Sequence, residues 1–138
     1  IGCAAGALVS ALRTRGARTV GMDLEPPAGA SCLDVIEADF ADRLPPRRYE
    51  LVVATGVFEA GSCKSGSPQG RSLRGEQLLG RLRAVTVPGG LVILENFGLP
   101  LPFSLSLARG AGFELVRQTL PCVNWALGER SCTLRRVR

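Results

Sequence analysis

The chain has 138 residues, 46% of them hydrophobic and 21% charged, with a net charge of +5 carried almost wholly by arginine. That size and balance fit one α/β domain with a real core, and they exclude a disordered or low-complexity chain. No apolar run approaches the roughly 20 residues needed to cross a bilayer.

Ile1-Gly2-Cys3-Ala4-Ala5-Gly6 reads as a tight bend that runs into a helix over 7–15. Gly2 and Gly6 let the backbone turn sharply and approach a ligand closely. The helix start offers free N–H groups and partial positive charge. Ile1 itself reads as the last residue of a strand, so an amino-terminal part of the domain is expected to be missing from the sequence. A short apolar strand over 18–23 follows and ends in Asp23, a position from which a carboxylate can accept hydrogen bonds from two ribose hydroxyls. Bend, helix, strand and terminal acid together make a nucleotide-binding half-unit.

A second strand is predicted over 34–38, carrying Asp39 and Phe40 just beyond its end. Only residues 24–34 are available between these strands, and Pro26, Pro27 and Gly29 oppose a helix there. A parallel crossover normally uses a dozen or more residues and a helix, so this connection is expected to be a loop. Further strands are predicted over 50–54, 90–95, 113–119 and 130–137, and helices over 71–86 and 103–111. Alternating helices and strands point to a parallel sheet covered on both faces, and the last two strands to an antiparallel return. The glycine- and serine-rich stretch 61–75 holds the chain's lysine, Lys64, and reads as a loop at the carboxyl ends of the strands, where open α/β sheets bind ligands.

The spacing narrows the ligand. The dinucleotide pattern needs glycine at the first, third and sixth places. Those places hold Gly2, Ala4 and Ala7, so a nicotinamide-dependent oxidoreductase remains only as a minor alternative. A phosphate loop with Lys after Gly6 is absent. Gly2-Cys3-Ala4-Ala5-Gly6 instead resembles the first motif, G-x-G-x-G, of the class I S-adenosylmethionine-dependent methyltransferases, with alanine at the middle glycine. In chain order, Val20 to Leu24 resembles that family's second strand. Val35 to Phe40 is similar to its third, and Tyr49 to Glu59 to its fourth. Leu78 to Ile93 resembles its next helix, Pro-Gly-Gly turn and fifth strand, and Ala108 to Val116 its late helix and A-G-F-E exit.

The resemblance implies a Rossmann-like open twisted sheet, mostly parallel, with an antiparallel carboxyl-terminal strand, over 1–138 as a single domain. It implies S-adenosylmethionine as cofactor, held by Gly2, Cys3, Ala4, Gly6, Asp23, Leu24, Asp39, Phe40 and Thr55. Asp23 would take the ribose, Asp39 the adenine edge, and the Phe40 ring would pack on the base. The acceptor would be a small molecule, methylated on oxygen, nitrogen or carbon. Methyl transfer from a sulfonium asks mainly for alignment, and a base is needed only when the acceptor is still protonated. No histidine exists, and Ala60 stands where the family often has one. Glu59, Glu95 and Asn96 at strand ends are the catalytic candidates, each also readable as an ordinary loop acid or turn cap. Ala4, Ala60 and the short crossover keep open a second reading, an inactive methyltransferase-like binding or regulatory domain of a longer protein.

The five cysteines lie far apart with no C-x-x-C, so no metal site is expected, and a reduced cytoplasmic setting is the simplest. Cys3 at a helix start is either an activated thiol or a small packing residue. The arginine excess reads as a solvated surface. Nucleic acid is the sharper alternative, and no basic stripe interleaved with aromatics supports it.

Overall fold

The computed structural model describes residues 1–3, 6–26, 34–55, 75–97, 103–119 and 129–137. In chain order these form α1 (Ala7–Thr14), β1 (Gly21–Asp23), β2 (Val35–Glu37), β3 (Tyr49–Thr55), α2 (Gly75–Val85), β4 (Thr86–Phe97), α3 (Leu105–Gly110), β5 (Phe113–Thr119) and β6 (Glu129–Arg136). Lys64 and the rest of the expected loop over 61–75, Gly75 excepted, lie outside the described residues.

The strands form two sheets where one was expected. β1 and β2 pair in parallel, and a second sheet has the order β3-β4-β6-β5. β3 and β4 run parallel, and β6 is antiparallel to both β4 and β5. Residues 1–3 stand between the two sheets. The Ile1 ammonium donates to the Val53 carbonyl at 2.7 Å, and the Thr55 N–H donates back to the Ile1 carbonyl at 3.4 Å. On the other side, the Gly2 and Cys3 N–H groups both donate to the Met22 carbonyl, at 2.8 and 3.3 Å. That is the bonding of a central parallel strand, confined to its last residues. The sheets are therefore two halves joined at one end.

The core lies between α2 and one face of the larger sheet. Strand periodicity puts Val52 and Ala54, Val92 and Leu94, and Cys132 and Leu134 on that face, all buried. Register aligns them in rows: Val52 opposite Val92 opposite Leu134, and Ala54 opposite Leu94 opposite Cys132. Leu78, Leu79, Leu82 and Val85, at helical spacing on α2, close over them with no more than 2% exposure. Met22 and Phe40 extend the same core toward the smaller sheet. Ser104 caps α3, its hydroxyl accepting from the Leu107 N–H at 3.2 Å.

The expected boundary between helix and strand near residue 90 is displaced. β4 begins at Thr86, directly after α2, and the Val87-Pro88-Gly89 segment lies within it as an irregularity, with register shifting between Tyr49 and Leu51. Thr86 is fully buried and anchors this junction, its hydroxyl donating to the Leu82 carbonyl at 2.7 Å. Arg136 follows Cys132 and Leu134 on the buried face of β6. Its guanidinium donates to the carbonyls of Arg83, at 2.9 Å, and Thr86, and so satisfies the carboxyl end of α2. Arg48 adds a bond to the Ala84 carbonyl at 3.2 Å.

Burial pushes the Cys132 thiol up to about 11 from 9.0. The folded chain thus keeps this proton over a range in which the unfolded chain has lost it, so stability falls as pH rises from about 9 to about 11. Two pKa units set the ceiling at roughly 2–3 kcal/mol. Urea unfolding at pH 8 and pH 10.5 should show this loss, and Cys132→Val should remove the thiol's share of it.

Candidate cofactor site at the carboxyl ends of the strands

Backbone conformation explains the bend. Gly2 (φ 67°) and Gly6 (φ 77°) both adopt the left-handed region. The turn between them is closed by the Gly6 N–H donating to the Cys3 carbonyl at 2.8 Å. Ala4 lies outside the described residues. Gly6 caps α1 without a side-chain bond, and no acid occupies the first turn. The helix start therefore presents backbone donors and positive dipole to the same end of the sheet as Asp23. At its far end α1 is pinned by Arg13, whose guanidinium donates to the Thr19 hydroxyl at 3.2 Å and carbonyl at 3.0 Å.

Asp23 ends β1 half-buried, with one carboxylate oxygen accepting from the Glu25 N–H at 3.2 Å. The residue before it, Met22, accepts at its carbonyl from the Gly2 and Cys3 N–H groups, so the acid and the bend adjoin at the end of β1. Leu24 follows and is exposed.

The Cys3 thiol is pushed up by burial first and by Asp23 second. The helix start does not activate it, and the packing reading of Cys3 holds. A Cβ added at Gly21 would stand 2.8 Å from Cys3 Sγ, 3.0 Å from Val35 Cγ2 and 3.2 Å from Val9 Cγ2. Gly21→Ala is accordingly expected to cost about 1–3 kcal/mol by overpacking. The double variant with Cys3→Ala should recover part of that loss in thermal melts.

Asp39 follows β2. One oxygen accepts from the Ala41 N–H at 2.7 Å, and the Asp39 carbonyl accepts from Asp42 and Arg43. This turn fixes the side chain. The other oxygen, Oδ2, is buried without a hydrogen-bond partner, a costly arrangement that a ligand donor would relieve. Phe40 departs from expectation. Its ring is 3% exposed within the core, with the Arg81 guanidinium 5.5 Å from the ring centroid. Arg81 also donates to the Phe40 carbonyl at 2.6 Å. Little ring face remains for a base; Phe40 holds the Asp39 turn onto α2. Sequence reasoning missed Arg81, which reads as an ordinary exposed helical arginine.

Thr55 and Glu95 are register partners at the carboxyl ends of β3 and β4. Glu95 is exposed. Asn96 is the next residue of β4, opposite Arg130, and Glu59 lies outside the described residues. The described geometry thus gathers Gly2, Cys3, Gly6, Asp23, Leu24, Asp39 and Thr55 at one end of the strands. Among the described residues there is no cluster of three metal-ligating side chains, and no helix is long and apolar enough to cross a membrane.

No family model matches the sequence, and no curated protein matches it. Solved structures do match. The 1,6-didemethyltoxoflavin-N1-methyltransferase of Burkholderia thailandensis, solved with its substrate and S-adenosylhomocysteine, is 17% identical over 99% of this chain and 69% of its own, with a TM-score of 0.68. A TehB-like SAM-dependent methyltransferase from Corynebacterium glutamicum is 18% identical over 99% and 77%, with a TM-score of 0.67. The [4+2]-cyclase SpnF is 13% identical over 99% and 72%, with a TM-score of 0.61. At these identities the likeness is one of architecture. The chain has the Rossmann-like fold of the class I S-adenosylmethionine-dependent methyltransferases.

Proposed function

We propose that the chain binds S-adenosylmethionine and transfers its methyl group to a small-molecule acceptor. The observation that carries this reading is the glycine bend bonded onto β1 beside its terminal acid, the Gly2 and Cys3 N–H groups both donating to the carbonyl of Met22, the residue before Asp23. Gly2, Cys3 and Gly6 would lie along the methionine and ribose with backbone, beside the open start of α1. Asp23 would accept from the ribose hydroxyls, with Leu24 flanking the sugar and adenine. The orphaned Asp39 Oδ2 fits the amino edge of adenine, the one donor an adenosyl group brings to that side. The bound cofactor supplies an activated methyl on a cationic sulfur.

This chain's own contribution to catalysis is then alignment and exclusion of water, with Thr55 at the methyl-bearing side. Glu95, exposed at the end of β4, would receive a proton where the acceptor carries one, and Glu59 and Asn96 remain the further candidates that the sequence offers. The bound ligands of the Burkholderia methyltransferase support both the cofactor and a small-molecule acceptor. We place the protein in the cytoplasm, in keeping with the free thiols of Cys3 and Cys132. A second reading, in which the domain binds the cofactor or a partner without methyl transfer, rests on Ala4 and Ala60 at motif positions of the sequence.

Isothermal titration with S-adenosylmethionine, S-adenosylhomocysteine and NAD tests the reading. Heat with the first two and none with NAD is expected. Silence with both adenosyl ligands would overturn it. Release of S-adenosylhomocysteine across a panel of small nucleophilic acceptors separates the enzyme from the binding domain.

A further inference from the structure

The turn after β2 is gripped from two sides through a single peptide group. The Phe40 carbonyl and the Ala41 N–H belong to one planar unit and point in opposite directions. Arg81 Nε, on α2, donates to that carbonyl at 2.6 Å. Asp39 Oδ1 accepts from that N–H at 2.7 Å. The Arg81 guanidinium also lies over the Phe40 ring, 5.5 Å from its centroid. Both bonds are charge-assisted, and a donor on the carbonyl strengthens the N–H of the same peptide as a donor. Rotation of this one peptide would break both. The two side chains that hold it each keep one buried atom without a partner, Asp39 Oδ2 and Arg81 Nη2. A bond between these atoms would satisfy both, yet Arg81 is spent on the peptide and Oδ2 stays available.

We infer that Arg81 is a positioning residue: from α2, through the Phe40–Ala41 peptide, it fixes the direction of the Asp39 carboxylate and with it the choice of base. The base rests on the cofactor reading above; the clamp does not. With Oδ1 held by Ala41, Oδ2 is the oxygen left to meet a ligand, so one donor is recognised from one direction. A 6-aminopurine brings an N–H to that oxygen. A 6-oxopurine brings an oxygen instead, which repels the carboxylate and leaves it unpaired. A carboxylate free to turn would re-aim at the neighbouring ring N–H of the oxopurine and accept either base. Selectivity therefore comes from the clamp as well as from the acid.

The ligand-free test compares Arg81→Met, which has no donor, with Arg81→Lys, which keeps one. The Ala41 amide should exchange about tenfold faster in Arg81→Met, as for the loss of one charge-assisted bond. The Leu82 and Val92 amides should exchange as in the parent, and Arg81→Lys should recover much of the Ala41 protection. Asp39→Ala gives the converse with Arg81 intact: release of the other end of the peptide should speed exchange of the Arg81 Nε–H. With ligand, the parent should prefer S-adenosylhomocysteine to S-inosylhomocysteine by about 30-fold or more, and Arg81→Met by less than about threefold. Unchanged Ala41 exchange in Arg81→Met, or unchanged Nε–H exchange in Asp39→Ala, overturns the clamp. So does faster exchange that includes Leu82 and Val92 equally, which would leave Arg81 a general structural role. An equal loss of both affinities, with their ratio kept, overturns its part in selectivity. A parent silent to both ligands overturns the cofactor reading instead, and the exchange results still decide the clamp.

Discussion

Asp23→Ala should weaken S-adenosylhomocysteine binding at least about 30-fold in calorimetry. Hydrogen bonds to a charged acceptor contribute about 1.5–3 kcal/mol each, and about 1.4 kcal/mol is tenfold in affinity. A carboxylate gripping two ribose hydroxyls therefore accounts for more than one decade. Asp23→Asn should lose less, because one acceptor survives. The fold should tolerate both changes. The Asp23 carbonyl, not its side chain, accepts the Ala38 N–H that holds β2 in place. A Tm within a few degrees of the parent, with binding lost, identifies a ligand contact. Unchanged affinity would remove Asp23 from the site.

Leu82→Ala should have the largest effect on stability. Leu82 is fully buried between α2 and the sheet, and its carbonyl receives the Thr86 hydroxyl that sets the start of β4. Large-to-small changes of this kind cost about 2–5 kcal/mol. Against the typical 5–15 kcal/mol of a domain, that is a large share. A drop in Tm on the order of 10 °C in thermal circular dichroism is expected. A drop of under 2 °C would mean that the rows of Val92, Leu94, Cys132 and Leu134 do not form the tight core described.

Much of this was legible in sequence because it is periodic. The leucines of α2, the alternation of β6 and the glycine bend each leave a pattern with one physical reading. The bounds of α1, β2 and β5 follow from such patterns to within a residue or so. Other features left weaker marks. Val87-Pro88-Gly89 reads as a turn, yet the buried Thr86 draws the strand forward to the end of α2. Arg136 reads as a surface cation; its spacing from Cys132 and Leu134, two residues each, is the signal that it faces inward. Phe40 beside an acid reads as a ligand platform, and its place in the core against Arg81, far away in sequence, leaves no local mark.

The most direct test of the central claim is an amide NMR titration of the labelled protein with S-adenosylhomocysteine. Shifts concentrated at Gly2, Cys3, Gly6, Asp23, Leu24 and Asp39 are expected, because bend and acid would hold one adenosyl group. Shifts confined to Tyr49 and Leu51, or to β5 and β6, with none at Gly2 and Asp23, would contradict it.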